Sequence, residues 1–101
     1  MTQRELQDIP SDVQTDVSRG IQILKKGGCT AVYLLGSVAE GRVRPESDID
    51  FAVRGCPPAK FFELQGQLLM ELERSADLID LDVDPDLTSF LEREATLLHV
   101  G

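Results

Sequence analysis

Residues 48–53 read Asp-Ile-Asp-Phe-Ala-Val, with acidic and apolar side chains in alternation. A helix returns to one face every 3.6 residues and would scatter Ile49, Phe51 and Val53 around its surface. A strand gathers the three on one side and puts Asp48 and Asp50 on the other. The segment therefore reads as a strand with one buried face and a carboxylate rim. It needs partner strands for its backbone groups and an apolar layer for its buried face. Ala31 to Leu35 (AVYLL) supplies a second, β-rich apolar run, and Asp77 to Val83 (DLIDLDV) a third.

Helical periodicity fills the intervals. Ser11-Asp12-Val13-Gln14 matches a capping box, with Ser11 as the N-cap. Val13, Val17, Ile21 and Leu24 follow at helical spacing until Gly27-Gly28 stops the run. Gly55-Cys56-Pro57-Pro58 breaks the strand at 48–53 and opens a helix whose expected stripe is Phe61, Leu64, Leu68, Leu69 and Leu72. Asp84-Pro85 is an N-cap followed by proline at the first helical position. Leu87, Phe90, Leu91 and Leu98 are the apolar positions expected of that last helix. The order is α–β–turn–β–α–β–α, an α/β (α+β) sandwich with a small mixed β-sheet flanked by helices. A length of 101 residues fits one domain, 1–101, with a modest core drawn from 42% apolar residues.

The chemistry concentrates in two places. Residues two apart on a strand project to the same face, roughly 6.5–7 Å apart at Cα. Asp48 and Asp50 can therefore converge on one or two hard cations, which take oxygen ligands and retain some waters. Metal pairs in phosphoryl chemistry sit about 3.5–4 Å apart, within that reach. Gly36-Ser37 directly follows a buried strand. Glycine admits a phosphate close to the backbone, and a serine opening a helical turn adds a hydroxyl and N–H groups. Arg42 and Arg44 lie in the loop beyond and are candidates for reaching phosphate oxygens.

Together these features form a spacing: Gly36-Ser37, ten residues, Asp48, one residue, Asp50, in the stretch GSVAEGRVRPESDIDFAVRG. This resembles the signature of the DNA polymerase β-like nucleotidyltransferase superfamily. The SVAEG turn and the SDIDFAV strand are similar to its small bacterial members, the minimal nucleotidyltransferases. The resemblance extends from Val13 onward. It implies a third carboxylate on a neighbouring strand, flanked by apolar residues. Ala76-Asp77-Leu78-Ile79 fits that context, which assigns the role to Asp77, with Asp80 and Asp82 as competitors. Parity leaves the choice open: Asp77 shares a face with Ile79 and Leu81, while Asp80, Asp82 and Asp84 share the other. The chain departs from many relatives at Glu40, where a basic residue is common.

The resemblance implies a division of labour. Asp48, Asp50 and Asp77 hold two Mg²⁺ ions, and Asp77 accepts the nucleophile's proton. Gly36, Ser37, Arg42 and Arg44 bind the phosphates of ATP or another nucleoside triphosphate. A nucleoside monophosphate moves to a hydroxyl. Larger relatives hold the acceptor in extra domains, and this length leaves no residues for one. Small members are often paired with an all-helical HEPN-type protein in toxin–antitoxin systems, where the nucleotidyltransferase is the antitoxin and can AMPylate a tyrosine of the toxin. Two other readings accompany this one: an antitoxin that acts by covering its partner, and a small-molecule nucleotidyltransferase.

The net charge of −8 disfavours a nucleic acid acceptor and favours a partner with a basic face. No apolar run approaches the ~20 residues of a membrane span, and the polar N-terminus lacks the apolar core of a signal peptide. A cytoplasmic location is expected. Cys29 and Cys56 read as reduced thiols, and His99 as a surface or capping residue.

Overall fold

The computed structural model describes residues 10–42 and 48–101, apart from the side chain of Ser37. Helix α1 spans Ser11–Lys26 and leads into strand β1, Ala31–Leu35. One helical turn, α2 (Gly36–Ala39), follows directly. Strand β2 is Ile49–Arg54, and a 3-10 turn at Pro58–Lys60 opens α3, Phe61–Glu71. Strand β3 (Ala76–Asp80), helix α4 (Pro85–Glu94) and the two-residue β4 (Leu98–His99) complete the order. The sheet runs β3-β2-β1-β4. β1 is antiparallel to β2 and β4, and β2 is parallel to β3, so the sheet is mixed as expected.

The two faces of the sheet have different cover. Val32 and Leu34 of β1, Ile49, Phe51 and Val53 of β2, and Ala76 and Leu78 of β3 point to one side. There they join Val13, Val17 and Leu24 of α1 and Leu64 and Leu68 of α3 in the main core. α1 lies close on the sheet: a Cβ at Gly20 would sit 2.4 Å from the ring of Phe51. Full burial of Ile49, Phe51 and Val53 contributes ~1.5–3 kcal/mol per side chain. The second face carries a smaller cluster of Leu35, Ala52 and Leu81, with Tyr33, Ile79, Leu91 and Leu97 packed around it. α4 is tied over this face by a hydrogen bond from Thr88 Oγ1 to the Leu81 carbonyl (2.5 Å) and by the Arg54–Glu92 ion pair (2.9 Å).

Several expectations move. The N-cap of α1 is Pro10, not Ser11, and the Gln14 N–H donates to the Pro10 carbonyl instead of the Ser11 side chain, so the expected box does not form there. The third strand ends at Asp80 instead of Val83, because Asp80 accepts the Asp82 N–H and turns the chain. Leu69 is 58% exposed, since the sheet-facing stripe of α3 is only wide enough for Leu64 and Leu68. Leu87 and Phe90 are likewise exposed, and α4 contacts the core through Leu91. Leu98 belongs to β4, which no periodicity announced, and pairs with Leu34. Asp84 caps α4 as expected, accepting the N–H groups of Asp86 and Leu87. Cys29 and Cys56 are free and buried. Burial, followed by a hydrogen bond to Cys56, pushes the Cys29 thiol up to about 12.

Candidate active site

The second face is where the carboxylates gather. Along β2 the core takes Ile49, Phe51 and Val53, so Asp50 and Ala52 necessarily face the other way. In the ladder Leu35 stands opposite Asp50, and Asp50 opposite Asp77. One transverse row therefore reads Leu35, Asp50, Asp77. The row beside it reads Tyr33, Ala52, Ile79, an apolar floor, with His99 stacked on Tyr33 at 4.8 Å. Neighbouring strands lie ~4.8 Å apart, so the Asp50 and Asp77 side chains start from adjacent positions. Asp48 precedes the strand and is exposed; Asp77 is exposed and Asp50 half-buried.

These charges act on one another. Burial first, then the negative charges of Asp77 and Asp48, hold the Asp50 carboxyl above its ordinary range. Desolvation and like charge both penalise an ionised acid, and a bound cation relieves both. The donors are hard oxygens, as Mg²⁺ requires. Among the described residues no group of three His, Cys, Asp or Glu side chains stands close enough to hold a metal ion, the three aspartates included.

Gly36, the residue directly after β1, borders Asp50. Its φ is +76°, and a Cβ there would stand 2.7 Å from Asp50 Oδ2. Glycine is thus needed twice, for a left-handed backbone and for the space the carboxylate occupies. α2 then starts at the rim of the carboxylate row, with Val38 and Ala39 buried beneath it.

The other expected residues divide. Arg42 is exposed and paired with Glu40, a contact the sequence did not foretell. Arg44 and the Ser37 side chain lie outside the described residues. Asp80 and Asp82 sit away from the row. Asp80 points to the core side, where its charge acts on Cys29, and Asp82 accepts the Gly55 N–H at 2.6 Å and pairs with Arg54. The expectation that Asp80, Asp82 and Asp84 share one strand face fails, because the strand ends at Asp80. One functional contact went unnoticed. Asp16 is 4% exposed and accepts the N–H groups of Glu73 (3.2 Å) and Arg74 (2.9 Å). It fastens the turn that leads into β3 three residues before Asp77. The signal was an acidic residue within the apolar stripe of α1.

Comparison with known proteins agrees with this geometry. The family model "Polymerase beta, Nucleotidyltransferase" matches residues 20–99. A solved structure described as a putative minimal nucleotidyltransferase shares 28% identity at a TM-score of 0.61, over 82% of this chain and 92% of that one. A toxin–antitoxin structure with AMP-PNP shares 27% identity at a TM-score of 0.62, over 77% of this chain and 68% of that one. The fold is also that of a Shewanella oneidensis complex of a tri-AMPylated HEPN toxin with its MNT antitoxin: identity 24%, TM-score 0.60, 84% of this chain and 70% of that one. No curated protein matches. With the carboxylate row on the second face of the sheet and the family match spanning it and Gly36, this chain belongs to the polymerase β nucleotidyltransferase family, as one of its minimal nucleotidyltransferases.

Proposed function

We propose that the chain uses Mg²⁺ to transfer a nucleoside monophosphate, AMP from ATP, to a tyrosine hydroxyl of a helical HEPN-type partner, and so acts as an antitoxin. The observation that carries this reading is the register of Asp50 opposite Asp77, with Asp48 beside them and Gly36 against the Asp50 carboxylate. Relatives support the acceptor class: one solved relative binds AMP-PNP, and another holds a tri-AMPylated HEPN toxin.

Asp48, Asp50 and Asp77 would hold two Mg²⁺ ions. The ions supply Lewis acidity at the α-phosphoryl group and lower the pKa of the attacking hydroxyl. Gly36 leaves the backbone open to the terminal phosphates, with Ser37 next to it. Asp77, exposed at the edge of the row, accepts the proton of the incoming hydroxyl. The hydroxyl oxygen bonds to the α-phosphorus, the bridge to the β-phosphate breaks, and pyrophosphate leaves. Arg42 neutralises phosphate charge once released from Glu40; an exposed ion pair of this kind is worth only ~0–1 kcal/mol, so the exchange is cheap. Arg44 joins it in the same role.

The test is a pull-down from the native organism with ATP and Mg²⁺, followed by intact-mass analysis of what co-purifies. A bound protein carrying one or more AMP groups, absent with Asp48→Ala or Asp50→Ala, is the expected result. Modification of a small metabolite instead would overturn the protein acceptor. A partner neutralised equally well by Asp48→Ala and never modified would overturn the enzymatic role.

A further inference from the structure

The helical layer presents an apolar stripe that the fold leaves uncovered. Phe62, Leu69 and Met70 are 81%, 58% and 87% exposed. In α3 they occupy positions i, i+7 and i+8, one face of the helix. Gly66, at i+4, lies at the centre of that face. A Cβ at Gly66 would meet nothing within 4 Å, and its φ is not positive. Nothing among the described residues therefore gives a reason for glycine at this position, although a mid-helix glycine weakens a helix relative to alanine. A bare position between large exposed apolar side chains allows another helix to approach closely.

Charge says which helix. Residues 76–95, which form β3 and α4, carry seven acidic side chains against one basic. Residues 10–28 and 57–75, which contain α1 and α3, carry five of each and are neutral. The acidity of the chain thus lies away from the helical layer. A basic partner is drawn to the β3–α4 side, and two copies repel least where α1 and α3 face out.

We propose that α3 is a two-fold interface on which a second copy of this chain docks, α3 against α3 in antiparallel orientation around Gly66. In that register Phe62 meets the second copy's Met70, Gly66 meets Gly66, and Lys60 comes near the second copy's Glu73. Antiparallel helix dipoles and the Lys–Glu approach both favour the pairing. The three side chains expose roughly 400 Å² per copy, or ~800 Å² across the axis, which is the size of a weak, concentration-dependent interface. The interface is on the opposite side of the sheet from the carboxylate row, so both sites of the dimer stay open.

Sedimentation equilibrium of the purified chain, without nucleotide, tests this. A concentration-dependent monomer–dimer equilibrium is expected. Met70→Lys and Phe62→Lys should each weaken it about tenfold or more, with an unchanged circular dichroism spectrum. Gly66→Cys should form a symmetric intermolecular disulfide on mild oxidation, whereas Asp86→Cys on α4 should not. A wild-type chain that stays monomeric into the high micromolar range overturns the proposal. So does a dimer that both lysine variants leave intact. Neither outcome bears on nucleotide transfer, which is measured separately.

Discussion

Gly36 and Gly41 offer a controlled comparison, because both have a φ of +76°. Alanine at either position must adopt the left-handed region, at ~1–2 kcal/mol. For a domain of this size each kcal/mol lowers Tm by about 4–8 °C, so both variants should lose roughly 4–16 °C. Their surroundings differ. Among the described residues a Cβ at Gly41 meets nothing within 4 Å, whereas at Gly36 it stands 2.7 Å from Asp50 Oδ2. The carboxylate is the end of a side chain and can swing aside, so the contact adds little to the stability loss. It does displace the group that would hold the metal. Melting curves taken with and without Mg²⁺ and ATP separate the two effects. At one hundred times its dissociation constant, the ligand stabilises wild type by about 2.7 kcal/mol. A tenfold loss of affinity in Gly36→Ala cuts that gain to about 1.4 kcal/mol. Gly41→Ala should retain the full gain. Equal ligand responses in the two variants would refute the role given to the Gly36–Asp50 contact, and Gly36→Ala melting like wild type would refute the left-handed backbone penalty.

Asp50→Asn should abolish transfer while stabilising the apo protein at neutral pH. The folded protein holds this carboxyl above its ordinary range, so its contribution to stability is fully present below the unfolded value near 3.8 and is lost as pH rises through the folded value. The Tm advantage of Asp50→Asn should therefore grow from pH 4 toward neutrality, and a constant difference would contradict the shift. Asp77→Asn should reduce transfer far more than Asp80→Asn, since only Asp77 stands opposite Asp50; an inactive Asp80→Asn with an active Asp77→Asn would misplace the third carboxylate. Asp16→Ala should cost about 2–3 kcal/mol in urea titrations, because two N–H groups of the turn before β3 lose their acceptor; a loss under ~0.5 kcal/mol would show that water replaces it.

Much of this molecule is written locally. The alternation at residues 48–53 places β2, one residue early at each end, and defines its two faces before any neighbour is known, because strand geometry alone sorts Ile49, Phe51 and Val53 from Asp50, while Asp48 lies just before the strand. Asp84-Pro85 announces the start of α4 through a cap that needs only the next three residues. The spacing from Gly36-Ser37 to Asp48 and Asp50 identified the family. Other features depend on residues distant in sequence. Which aspartate of Asp77, Asp80 and Asp82 joins the row is a matter of register between β2 and β3, and period-two patterning carries no register. β4 is two residues held by pairing with β1, too short to have a period. Leu69, Leu87 and Phe90 are apolar at helical spacing, yet their burial depended on how wide a strip each helix lays on the sheet. The Arg42–Glu40 pair and the Asp16 anchor likewise depend on where the folded chain places side chains and turns. Sequence periodicity determines which way a side chain points from its own backbone, and only packing decides what it meets there.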